Sequence, residues 1–280
     1  MENNLIASYL TVVFCLFSVA TLAQPRIAIL DFNGEPGASQ QLRKLAESDS
    51  VSLVNEQQLN LAVRGAGYNG SLNLKVEDAR ALGLSIGCEY YLIGTAKVQR
   101  RLLSEREFYF DVMIAAFVVE TQTGKLIKFL FEQARTEKEI VARERLKELT
   151  KTIWRQSSDA LKSSAISNDI EKVGEVYDLD STEAVKLQIK PPQFFRRVKP
   201  TYTATADLAG IAATVELKVT FQENGVIGAV EIIRWAGFGL DDSAITTVKQ
   251  LRFEPAKLQN KPVSVSAVVQ YNFRQEEKVK

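Results

Sequence analysis

The feature that most constrains this chain is the alternation in its C-terminal part. In Thr214–Phe221, Val215, Leu217, Val219 and Phe221 face one way, and Thr214, Glu216, Lys218 and Thr220 face the other. That period of two suits a half-buried strand. Asn224-Gly225 follows, a pair that favours a tight hairpin because both residues tolerate positive φ. Val226–Trp235 reads as the returning strand, and Gly237 and Gly239 break it. Leu240, Ala244, Val248 and Leu251 then form one stripe of a short helix. Asp241 and Asp242 lie in its first turn, where negative charge suits the helix dipole. Pro255 and Pro262 bracket a loop. Val263–Phe273 alternates again, with Val263, Val265, Ala267, Val269, Tyr271 and Phe273 opposite Ser264, Ser266, Val268, Gln270 and Asn272. The expected product is a small antiparallel sheet with one helix across its apolar face, an α+β unit.

Upstream, the pattern changes to strands separated by helices. Arg26–Phe32 is a short apolar run ending at Asn33-Gly34, the mark of a buried strand entering a loop. Residues 39–47 read as a polar helix. A brief strand precedes Asn55, which suits an N-cap for a helix through Leu59 and Val63. Val76–Ile86 reads as a helix and Glu89–Ala96 as a strand. Phe108–Val119 and Lys125–Gln133 are two strands around Thr123-Gly124. Glu137–Leu161 is a long helix whose Ile140, Leu146, Leu149, Ile153 and Leu161 are expected to pack on a sheet. Glu144 with Lys147 and Glu148 with Lys151 lie at helical spacing on its other side. The expected fold class is therefore α+β in two domains, an N-terminal α/β sandwich-like one and a C-terminal β-hairpin–α–β one. Residues 24–165 form the first, 166–193 a linker, 194–275 the second and 276–280 a polar tail.

Composition narrows the function. The chain of 280 residues has 35 basic and 34 acidic residues and a net charge of +1, so no global field favours nucleic acid. No basic cluster with interleaved aromatics appears either. With no histidine, the commonest general base and the commonest zinc ligand are both missing. Of two cysteines, Cys15 lies in an N-terminal apolar run, leaving Cys88 alone, so neither an internal disulfide nor a thiolate metal cluster is expected. Cys88 opens an apolar strand and reads as a buried structural thiol. Leu5–Ala23 is uncharged and ends in small residues, as a secretory leader cleaved after Ala23 does. It is also long enough to span a bilayer if retained.

Three motifs are weighed and set aside. Gly65–Gly70 satisfies G-x-G-x-x-G, but follows a helix rather than a strand, so Gly65 or Gly67 reads as a helix end and not as a nucleotide cradle. Asp178/Asp180 and Asp241/Asp242 are acidic pairs that solvation and helix capping explain. No G-x-S-x-G elbow occurs. No catalytic, cofactor-binding or metal-binding residue is assigned, and enzyme activity is not expected. Phe194 and Phe195, after Pro191-Pro192, must bury against a domain or a partner.

Pro200 and Tyr202, Val215, Asn224-Gly225, the Gly237–Asp241 turn and Arg252-Phe253-x-Pro255 stand in the order and spacing of the C-terminal domain of TonB-type energy transducers, which the chain resembles over about residues 194–274. Thr203, Ala213 and Asn260 depart from that family's pattern. Ile27–Phe32, residues 52–63, Ala81–Gly83 and Tyr90–Gly94 resemble the N-terminal domain of TolB and the periplasmic domain of the curli secretion protein CsgG. The lipid-bearing cysteine and long pore-forming hairpins of the latter have no counterpart in this sequence. The TonB resemblance implies an exported periplasmic adaptor, linked to transmembrane transport, that binds an extended peptide by adding it to the edge of the last strand. The implied contacts are Val263, Ser264, Val265, Ser266, Ala267, Val268, Gln270 and Asn272, with Pro200 and Tyr202 at the opening of the domain. The implied partner is an envelope protein, with a TonB-dependent outer-membrane transporter as one candidate. Self-pairing into a homodimer, a scaffolding role in an envelope assembly and an inner-membrane-anchored transducer stay open. The family's long proline-rich spacer is missing, the chain having 7 prolines in all.

Overall fold

The structure is a computed structural model that describes residues 24–104, 107–164, 176–196 and 198–275. The expected leader, most of the first half of the connector and the polar tail lie outside the described residues. No helix among the described residues is long and apolar enough to cross a membrane.

The N-terminal half begins with β1 (Ile27–Ile29), β2 (Asn33–Gly34), α1 (Gly37–Ser48), α2 (Glu56–Gly65) and α3 (Val76–Ile86). Asn55 caps α2 as its sequence position foretold, its side-chain oxygen accepting from the Gln57 and Gln58 N–H groups. A meander follows, β3 (Tyr90–Leu102), β4 (Phe108–Glu120) and β5 (Leu126–Thr136), and then the long helix α4 (Glu139–Ser164). β1 and β2 both pair parallel with β3, while β3–β4 and β4–β5 are antiparallel. β3 runs six residues further than Glu89–Ala96 suggested, because Lys97–Leu102 pairs with the start of β4. Residues of β4 are buried on both faces. Val112, Ile114, Ala116 and Val118 meet α1 and α4, whereas Met113, Ala115, Phe117 and Val119 face the opposite way into a second core. Ile140 does not pack on the sheet; it is 73% exposed in the first turn of α4, and burial begins at Ala142.

The C-terminal half holds β6 (Tyr177–Asp178), α5 (Thr182–Lys186), β7 (Gln193–Phe194), α6 (Ala204–Ala209), β8 (Ala213–Phe221) and β9 (Ile227–Arg234). It ends with α7 (Leu240–Val248), β10 (Phe253–Glu254), β11 (Ala256–Leu258), β12 (Lys261–Val263) and β13 (Val265–Phe273). The main sheet has the order β6-β13-β8-β9, and α7 crosses its apolar face. Only Gly225 of the Asn-Gly pair has positive φ (81°), so β8 and β9 are joined by a looser turn than the two-residue hairpin expected. The presumed linker proves partly structured. β6 pairs with β13, Lys190 bridges Lys257 and β7 pairs with β10, so residues 177–194 wrap the C-terminal sheet. These pairings are two residues long or less, too short to leave an alternating pattern.

The two halves share one core. Phe238, 2% exposed, stacks against Phe117, Phe129 and Phe131 of the N-terminal sheet at centroid distances of 6.2, 4.8 and 5.7 Å. Gly237 must be glycine: its φ is +71°, and a Cβ there would meet the Phe129 ring at 2.6 Å. Asn73 ties the halves through its amide, accepting from Thr214 N–H at 3.0 Å and donating to the Thr214 carbonyl at 2.8 Å and to that of Trp235. α+β is thus the class of the whole, but the halves form a single packed body.

Candidate functional site

β13 is built for pairing. Nine consecutive residues, Val265–Phe273, lie in unbroken register with β8 from Phe221 back to Ala213. The side chains alternate as the sequence foretold: Val265 and Phe273 are buried and Ala267, Val269 and Tyr271 half-buried, whereas Val268, Gln270 and Asn272 are exposed.

The outer side of the strand is open over only part of its length. Tyr177 N–H donates to the Ser264 carbonyl at 3.1 Å and Leu179 N–H to that of Ser266 at 2.9 Å, so β6 covers this end. Val263 lies in β12, paired with Ala256, and the Ser264 hydroxyl accepts from Glu223 N–H. Of the expected edge residues, Val263, Ser264, Val265 and Ser266 are therefore occupied by the chain itself. The alternation that sequence displays along residues 263–273 is real, but Ser264 breaks it into two strands, which side-chain periodicity does not reveal. Since Ser264 and Ser266 present their backbone groups outward, the same parity places those of Val268, Gln270 and Asn272 on the open side. The odd-numbered residues, Ala267 included, spend theirs on β8.

Beside this open stretch lies a groove of about 860 Å³, walled by Phe194, Arg196, Val198–Tyr202 less Thr201, Leu251 and Val268–Gln275. Phe194 is stapled in place, its ring 5.4 Å from Phe221 and 6.3 Å from Phe253, yet 45% of it stays exposed; Phe195 is 74% exposed. Pro200 and Tyr202 do line the groove, but the Tyr202 hydroxyl is already engaged, donating to the Ile211 carbonyl at 2.6 Å. Burial raises the Tyr202 pKa, with Asp207 adding to the rise. Thr203, where the family pattern has proline, caps α6 by accepting from Ala206 N–H and donates to the Phe238 carbonyl, two bonds proline cannot make. On the outer face the Asn272 side chain accepts from the Thr214 hydroxyl at 2.8 Å and the Gln270 amide at 3.1 Å. Sequence reasoning missed Arg196, Lys199, Leu251 and Arg274 as wall residues, because they come from three separated segments that only the fold brings together.

The other motifs fall where ordinary structure explains them. Gly67 (φ +65°) follows the end of α2, and Asn33 donates to the Gly70 carbonyl, so the glycine loop closes on protein. Cys88 is buried, and that burial pushes its thiol up to about 11. Asp178 pairs with Lys218 at 2.8 Å, and that bond holds its carboxyl below the usual range. Asp241 is more than a dipole partner: its two oxygens accept from Ala236 and Gly237 N–H, both at 2.8 Å, and burial pushes its carboxyl up to about 6. No group of three or more His, Cys, Asp or Glu side chains that could hold a metal occurs among the described residues.

Compared with known proteins, residues 198–275 match the family model of the Gram-negative bacterial TonB protein C-terminal. This segment is similar in sequence to the TonB-type C-terminal domain. The solution structure of the TonB C-terminal domain from Pseudomonas aeruginosa is similar at 20% identity, covering 38% of this chain and 99% of that one, with a TM-score of 0.29. The LpoB C-terminal domain from Salmonella enterica is 18% identical over 41% of this chain and 86% of its own, with a TM-score of 0.28. TolB from Acinetobacter baumannii is 10% identical, covering 74% of this chain and 38% of that chain, with a TM-score of 0.29. No curated protein matches the chain.

Proposed function

We propose that this chain is an exported, periplasmic protein-binding adaptor without enzyme activity, whose TonB-type domain takes an extended segment of an envelope protein by strand addition. The observation that carries this reading is the open run of β13. Val268, Gln270 and Asn272 turn backbone groups without a partner among the described residues toward a groove, and a peptide strand laid there gains main-chain hydrogen bonds while side-chain pockets set specificity. β6 already adds to this edge at Val265 and Ser266, an intramolecular example of the same interaction. An outer-membrane transporter fits as partner. A scaffolding role is the second reading, and the core shared through Phe238 and Asn73 favours it over a transducer with freely moving parts.

A photo-crosslinking residue at Gln270, tested in intact cells, checks the reading. It should capture an envelope protein, and Val268→Pro should abolish the capture without unfolding the chain, because the Val268 N–H faces outward and proline is tolerated at edges. Proline at Ala267 is not a usable control, since it would break the β8 ladder. Equal capture by a folded Val268→Pro variant would remove strand addition as the mechanism.

A further inference from the structure

We infer that a second copy of this chain docks on the outer edge of β5, the two β5 strands pairing antiparallel about a two-fold axis at Leu130. This surface belongs to the N-terminal sheet, outside residues 198–275, and does not depend on strand addition at β13.

β5 ends the strand order β1-β3-β4-β5. The opposite border, β1, is three residues long and covered by the chain itself: Ile27 N–H donates to the Ser52 carbonyl and Val54 N–H to that of Ile27. β5 has eleven residues, and the ladder tells which of its backbone groups face outward. Leu103 N–H donates to the Glu107 carbonyl, so the odd-numbered residues of β4 bond β3 and the even-numbered ones bond β5. The latter meet Lys128, Leu130, Glu132 and Ala134. Phe129, Phe131 and Gln133 therefore turn their N–H and C=O groups outward, where no backbone partner meets them among the described residues. The register shift against β4 lies before Lys128, so this run is regular.

Charge on an edge ordinarily repels another strand; here it selects one register. With Leu130 opposite Leu130 of the second copy, Lys128 falls opposite Glu132 on both sides of the axis, and Phe129 opposite Phe131. Moving the axis to Phe131 sets Lys128 against Ala134, and moving it to Glu132 sets the two glutamates together. Lys128 is exposed and has no ion pair among the described residues, while half-buried Glu132 accepts from the Gln156 amide at 3.0 Å. A groove of about 660 Å³ beside the strand, bounded by Ile127, Lys128 and Leu130 and by Gln156, Asp159 and Ala160 of α4, leaves room for Glu132 of the second copy. At the ends Lys125 would come near Arg135 of the second copy, but both are already engaged, with Glu231 at 2.6 Å and Asp111 at 3.4 Å.

The test is sedimentation of the chain from Gln24 onward, which keeps every described residue. It should dimerise. Lys128→Glu and Glu132→Lys should each weaken the dimer about tenfold, since each puts two like-charged pairs across the seam and one such pair is worth a few-fold. The double variant should restore it, and that rescue requires contact between copies, because residues four apart on one strand stand about 13 Å apart. Lys128→Cys combined with Glu132→Cys should oxidise to a covalent dimer that neither single variant gives; Cys88 is buried and does not compete. A monomer throughout overturns the inference. A dimer indifferent to both charge variants, or one dissociated by Val268→Lys, overturns it too. Residues 165–175 follow α4 beside this groove, carry Asp169, Glu171, Lys172 and Glu175, and lie outside the described residues. If replacing them with glycine and serine turns a monomer into a dimer, the chain's own connector is the occupant of the edge and the inference fails.

Discussion

The two borders of the C-terminal sheet make an instructive pair. β9 and β13 flank the same central strand and have similar length, eight and nine residues. β9 slips register against β8 at two places and carries Glu231 and Arg234. Both charges are engaged, Glu231 with Lys125 at 2.6 Å and Arg234 with Glu216 at 3.1 Å. Its end is bridged by Lys75 from the N-terminal half. β13 has no register shift and no charged side chain. Bulges, charges and covering segments are the usual ways of blunting a sheet edge. One border has all of them; the other has only the two-residue cover of β6. The difference teaches that the N-terminal half is the occupant of the Arg234 end of β9, while among the described residues the Val268–Asn272 stretch of β13 is the barer border.

The largest expected effect comes from removing that occupant's grip. Phe238→Ala deletes a buried ring that touches three aromatic residues of the N-terminal sheet. It should cost about 3–5 kcal/mol in urea unfolding, the range for aromatic truncation in a core. Hydrogen exchange should speed up in β9 more than in β13, since β9 leads directly into the Phe238 turn. A loss under about 1 kcal/mol would mean the halves are held elsewhere and the contrast between the borders has another origin.

The turn after β9 also gives the comparison a pH dependence. Burial pushes the Asp241 carboxyl up to about 6, above the roughly 3.9 of an unfolded chain. A carboxyl with a raised folded pKa favours the native state when protonated. Its contribution is fully present below about pH 4 and is lost as pH rises through about 6. Two pKa units correspond to about 3 kcal/mol. The stability of the native sequence relative to Asp241→Asn should therefore fall between pH 4 and pH 6. A difference that stays flat across that window would show that the two N–H bonds from Ala236 and Gly237 fully offset burial.

These residues also mark what sequence could and could not tell. Val76–Ile86 appears as a helix with the bounds its pattern gave, and Asn55 caps α2, because both depend on neighbours a few residues away. The alternation of β8 and β13 was legible for the same reason. Phe238 was not, since one apolar residue inside a glycine turn carries no period, and its partners lie more than a hundred residues upstream. Asn73 gave no signal either; a lone amide in a loop looks alike whether it meets water or another half of the molecule. At the candidate site the inward and outward faces of β13 could be read. How far its backbone stays open could not, because that depends on where Tyr177–Leu179 returns.

The smallest effect on stability is the sharpest test of the contrast. Val268→Lys places a charge on β13 of the kind that β9 carries. Val268 is 43% exposed and its side chain points away from the core, so the unfolding free energy should move by less than about 0.5 kcal/mol. Binding should respond far more, because an added strand would have to accommodate a lysine at the centre of the edge it pairs with. Crosslinking from Gln270 should drop sharply for Val268→Lys. For Gly228→Lys on β9 it should stay unchanged if the proposed docking on β13 holds. Equal loss in both variants would make the two borders equivalent and would take away the reason for assigning function to β13. Loss in Val268→Lys alone ties binding to the plain, uncharged stretch of β13 between Val268 and Asn272.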